Sequence, residues 1–199
     1  MLKQTLRDFK DQIQYGLIGV ILLVLIVNVF FLSHDKELES KLFLISILAS
    51  VLLSVFYIII SDKQPLFMVC LALFAVSMIY MLATSDLTSK VANYLSAGSF
   101  IVSGIAIGLL ALKHSREFKN FETMEGILAV FLLIAATRYF IETEFSQYYS
   151  FAICFLIATL MYNNNLWERY KSSEKNLLLF LLVYFFAEVI KVSGDYISF

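Results

Sequence analysis

Seven stretches of the chain are almost continuously apolar, with short polar runs between them: Tyr15–Ser33, Leu42–Ile60, Pro65–Thr84, Val91–Leu112, Glu125–Ile141, Phe145–Tyr162 and Asn176–Ser193. Each approaches or meets the ~20 residues that an α-helix needs to cross a hydrocarbon core at a rise of about 1.5 Å per residue. The first four are unbroken. The fifth and sixth are separated only by the turn around Glu142–Glu144, and the seventh is interrupted by Glu188 and Lys191, so it either spans or lies in the interface. Strands fit poorly, because membrane barrels show alternating segments of about ten residues. Backbone groups in lipid must also be satisfied within the segment. The pattern therefore predicts an all-α, polytopic helical membrane bundle. It forms one domain over residues 1–199, with seven helices, or six if the last does not cross, after a polar N-terminal segment, 1–14.

Composition sharpens this picture. The chain is 60% hydrophobic and 16% charged, against about 45–50% and about 25% for an ordinary soluble domain. Its mean hydropathy is +0.82. A domain of 199 residues cannot hide that much apolar surface from solvent, so membrane lipid must cover most of it. A net charge of −1 gives no bulk attraction to nucleic acid. Cys70 and Cys154 lie alone inside apolar runs and read as small buried hydrophobes. The first apolar run lacks a small-residue cleavage site and is too long for a signal-peptide core, so it reads as an uncleaved first helix.

The loops indicate orientation. Lys3, Arg7 and Lys10, then Lys63, then Lys113, Arg116 and Lys119, then Arg169, Lys171 and Lys175 all fall on one side of a seven-span chain. Lys36, Lys41, Lys90 and Lys191 fall on the other, with the acids Asp35, Glu37, Glu39, Asp86, Glu142, Glu144 and Asp195. The positive-inside rule places the N-terminus in the cytoplasm of a cell whose inner membrane holds the protein. The basic inner loops then face any cytosolic partner.

Ionisable groups at membrane depth are functional hypotheses by default. Arg138 and Glu142 share a face of helix five, and Glu188 and Lys191 a face of helix seven, with Asp195 a turn further on. Counted from the starts of their helices, both sets lie about 18–27 Å along the axis. They form a charged layer that is either a gate or relay, or a clasp whose long side chains reach the headgroups. On helix four, Gly104 and Gly108 make a GxxxG that Ala97 and Ala111 extend into a small-residue stripe. Such a stripe suits close packing within one protomer or between subunits. Ser96, Ser99 and Ser103 on the same helix bond most cheaply back to its own carbonyls. The tyrosines with Trp167 read as aromatic belts, Tyr162, Trp167 and Tyr170 marking the inner side. His34 and His114 are expected in loops on opposite sides, which excludes a shared metal site.

No catalytic, cofactor-binding or metal motif is present: neither GxxxxGK[ST], HExxH, GxSxG nor CxxC occurs. The single proline, Pro65, stands at a helix start, and broken helices of the kind that build carrier sites are not expected. The plan resembles the small membrane subunits of some antiphage defence systems, a likeness of architecture alone. The expectation is a non-enzymatic inner-membrane protein that forms homo-oligomers and anchors or signals to a cytosolic partner. The rival is a small channel or transporter subunit gated by the charged layer.

Overall fold

Seven helices follow one another in the structure, a computed structural model that describes residues 5–6, 8–31, 36–61, 64–84, 90–115, 122–137, 146–163 and 167–197. They are α1 (Lys10–Phe31), α2 (Lys36–Ile60), α3 (Pro65–Thr84), α4 (Lys90–Ser115), α5 (Glu122–Thr137), α6 (Ser146–Tyr162) and α7 (Ser172–Ile197). Pro65 opens α3, where its missing N–H costs nothing. Most helices begin a few residues before their apolar run: α1 starts at Lys10 with Asp11 in its first turn, where a negative charge complements the helix dipole.

Short connections make consecutive helices antiparallel neighbours. From α1 to α6 each packs against the next, and α7 turns back against α1, α2, α3 and α6. The most polar helix therefore occupies the best-covered place. Leu177, Leu181 and Phe185 on α7 are fully buried among the neighbouring helices. Glu188 on this helix is partly buried and bonded to Ser150 of α6, and a charge held by protein is cheaper than one facing lipid.

Aromatic rings fill the centre. Phe74 of α3 meets Phe100 of α4 edge-on at 5.2 Å and Phe180 of α7 at 5.2 Å. Phe100 in turn meets Tyr184 at 5.4 Å and Phe185 at 5.3 Å. Edge-to-face pairs of this kind add about 0.5–1.5 kcal/mol beyond burial. These phenylalanines lie in the core, whereas Tyr94, Tyr148 and Tyr162 are exposed as belt residues should be.

The outer surface is apolar: Leu23, Leu52, Val76, Leu109, Leu112 and Phe155 all face out. Among the described residues three helices are long and apolar enough to cross a membrane, over Lys10–Val27, Pro65–Thr84 and Lys90–His114, and three shorter apolar ones accompany them. The architecture is that of a helical membrane bundle.

The closest helix pair is α4 with α5. A Cβ added at Gly104 would stand 3.0 Å from Leu133 Cγ and 3.1 Å from the Ala129 carbonyl oxygen, and one at Gly108 would lie 3.7 Å from Ala129 Cβ. With Ala97 and Ala111 also buried, the small residues let two backbones approach and gain dispersion contacts that water cannot drive within lipid.

Candidate functional site

Among the described residues the largest set of buried polar side chains lies at one end of the bundle, the basal end, where α1 starts, α2 ends and α3 starts, α4 ends and α5 starts, and α6 ends and α7 starts. His114 sits in the last turn of α4 and is only 4% exposed. The loop placement expected from sequence is therefore corrected: α4 runs on past its apolar stretch and carries the imidazole inward. Glu125, in the first turns of α5, is 0% exposed. A carboxyl group hidden this completely is costly unless partnered, and two residues partner it. His114 Nδ1 lies 2.8 Å from Oε1 and 3.1 Å from Oε2, and the Tyr170 hydroxyl donates to Oε1. The rings of His114 and Tyr170 stand 5.7 Å apart, and Trp167 meets Tyr170 edge-on.

Tyr170 thus departs from the inner belt assigned to it: it is 3% exposed and turned into the bundle. Burial, and then its bond to the Glu125 carboxylate, hold its phenol well above the ordinary tyrosine range. The three side chains join the end of α4 and the start of α5 to the segment that leads into α7.

A second group ties the start of α7 to the turn between α2 and α3. Ser173 donates to Gln64 Oε1 at 2.6 Å, and Asn176 Nδ2 donates to Ser61 Oγ at 2.8 Å. Glu174, three residues into the turn, accepts the Lys171 backbone N–H at 2.6 Å, as in the returning half of a capping box. Gln14 of α1 is buried at the same end.

The sequence-predicted residues divide as follows. Lys113, Arg169 and Lys171 are exposed at the basal end, and Lys175 lies over the Trp167 ring at 5.6 Å. Arg116 and Lys119 fall outside the described residues. Of the charged layer, Arg138 and Glu142 also lie outside them, and only the backbone of Lys191 is described, on α7. Glu188 accepts a hydrogen bond from Ser150 of α6 at 2.8 Å. Ser99 bonds back to the Leu95 carbonyl, but Ser96 reaches across to Ser77 of α3 at 2.7 Å instead. Cys70 and Cys154 are free thiols. Among the described residues no group of three His, Cys, Asp or Glu is placed to hold a metal.

Sequence reasoning used Glu125 and Asn176 only as the polar limits of apolar runs. No local signal marks them as hubs, because their partners stand 11, 45 and 115 positions away. Comparison of the chain with protein-family models, curated proteins and solved structures gave no match.

Proposed function

We propose that the protein is a non-enzymatic inner-membrane bundle, oligomeric in the membrane, that anchors or signals to a cytosolic protein through its basal end. One observation carries this reading: the interlocked rings of Phe74, Phe100, Phe180, Tyr184 and Phe185 occupy the middle of the bundle. A centre packed this way supports a solid scaffold over a conduit through one protomer, since packed interiors leave few voids larger than a water molecule. The basal end offers what a scaffold needs. Helix ends there are tied by buried hydrogen bonds, and the same end carries exposed Lys113, Arg169 and Lys171.

The second reading is a channel formed between subunits. It draws on Glu188, whose carboxylate is held by Ser150 towards the opposite end of α7.

Proteoliposomes separate the two. The scaffold reading expects no cation or proton flux above protein-free vesicles, with a soluble protein co-purifying in fixed ratio and lost on Lys113→Glu with Lys171→Glu. A flux abolished by Glu188→Gln would replace the scaffold by the channel. Reporter fusions after Lys10 and Ser172 should report cytoplasm, and one after Ser198 the outer side; a cytoplasmic C-terminus would refute seven crossings.

A further inference from the structure

We infer that the basal end holds a binding site for the phosphate headgroup of an anionic phospholipid, built from Lys113, Arg169, Lys171 and Lys175. The inference rests on the membrane reading and adds a ligand to it. In sequence these cations belong to two separate segments. The His114–Glu125–Tyr170 network brings the segments together: Lys113 is the neighbour of His114, while Arg169 and Lys171 flank Tyr170. The two rings stand 5.7 Å apart, and consecutive Cα atoms are about 3.8 Å apart. Cations from both connections therefore border a single contact.

Charge and depth favour a headgroup. Lys113, Arg169 and Lys171 are exposed, and among the described side chains of the two connections the exposed acid is Glu168. Glu125 and Glu174, described there too, are buried and engaged, Glu125 by His114 and Tyr170, and Glu174 by the Lys171 N–H. The patch also lies at the edge of the lipid-facing surface, since Leu109 and Leu112 just before Lys113 are exposed, as is Tyr162 at the end of α6. Trp167 beneath Lys175 is the kind of ring that sits at headgroup level. Basic pockets between helices on the cytoplasmic side bind acidic headgroups in this way, each Lys or Arg strengthening attraction about fivefold. The buried network holds the end of α4 and the start of α5 against Tyr170 through His114 and Glu125.

The test is thermal stability of the full chain in neutral detergent, titrated with phosphatidylglycerol, phosphatidylcholine or inorganic phosphate, with bound lipid counted by native mass spectrometry. Phosphatidylglycerol should raise the midpoint saturably and more than phosphatidylcholine, and salt should weaken the effect. Lys113→Gln, Arg169→Gln and Lys171→Gln should each lower apparent affinity about fivefold. Lys41→Gln with Lys90→Gln, at the other end, should leave it unchanged. Single exposed substitutions keep the test valid if a triple variant misfolds. Equal stabilisation by both lipids, or no loss in the single variants, overturns the site, and an equal response to inorganic phosphate assigns it to a free anion instead. A protein that does not partition into membranes at all would sink the membrane reading itself, a separate and distinguishable failure.

Discussion

The two glycines of the α4 stripe look alike in sequence, yet they should respond in opposite directions to the same added methyl group. A Cβ at position 104 would press on Leu133 at 3.0 Å and on the Ala129 carbonyl oxygen at 3.1 Å; at position 108 the nearest atom is Ala129 Cβ at 3.7 Å. Carbon atoms in favourable contact stand about 3.5–4.0 Å apart. Position 108 therefore accepts a methyl without movement, and position 104 requires a shift of a few tenths of an ångström. Leu133 is 40% exposed and can turn towards lipid. The Ala129 carbonyl belongs to a helix backbone and cannot, so the helices must separate. Overpacking of this kind costs about 1–3 kcal/mol, and replacing a helical glycine by alanine returns about 0.5–1 kcal/mol. Gly104→Ala should lose about 1 kcal/mol net, while Gly108→Ala should gain about 0.5–1 kcal/mol. For a chain of this size, about 2–4 °C per kcal/mol makes the pair differ by roughly 4–8 °C in detergent. Gly98→Ala is the reference, on the same helix with nothing within 4 Å of its Cβ. Fluorescence-detected size exclusion after heating reads both midpoint and oligomer size. If Gly104→Ala melts with or above Gly98→Ala, or below it by no more than Gly108→Ala, the close approach of α4 to α5 is wrong. A change in oligomer size with Gly108→Ala and no change in stability would move the stripe to a subunit interface.

Three further outcomes follow from the basal network and the core. Glu125→Gln keeps an acceptor for Tyr170 and should cost little, whereas Glu125→Leu strands two buried polar groups at about 1–3 kcal/mol each; equal melting of the two variants would show that Glu125 is not a hub. Because the Tyr170 phenol is raised by burial and by Glu125, the folded state holds that proton more tightly than the unfolded chain does. Its contribution is full below about pH 10 and is lost as pH rises past the ordinary tyrosine value towards the higher folded one. Midpoints measured from pH 8 to 11 should thus fall more steeply in the parent than in Tyr170→Phe, and parallel profiles would refute the placement of Tyr170. Phe100→Ala removes a fully buried ring at the centre of the aromatic cluster and should cost about 3–5 kcal/mol; a loss under 1 kcal/mol, read by thermal or denaturant unfolding, would mean the centre is loosely filled.

The number, order and type of the helices were legible in the residues themselves. A run such as Pro65–Thr84 carries no charged side chain, and in a lipid-like environment its backbone must close on itself, so composition and length suffice. The small-residue stripe at Gly104 and Gly108 was legible as a packing face for the same reason, since a missing side chain is a local property. Its partner was not: Ala129 and Leu133 are found only by folding α5 onto α4. Placement of α7 likewise needed the tertiary structure. Its Glu188 and Lys191 interrupt the apolar run, which left an interfacial position as the alternative to spanning. Packing against α1, α2, α3 and α6 surrounds Leu181 and Phe185 with protein, a placement that hydropathy does not give. The basal cluster was the least legible part. His114, Glu125, Tyr170, Ser61 and Asn176 each look like an ordinary polar residue at the end of an apolar run. Side-chain hydrogen bonds between distant segments have no period and no motif. Hydropathy records only how costly a residue is to bury, whereas the partner that offsets the cost is supplied by another helix.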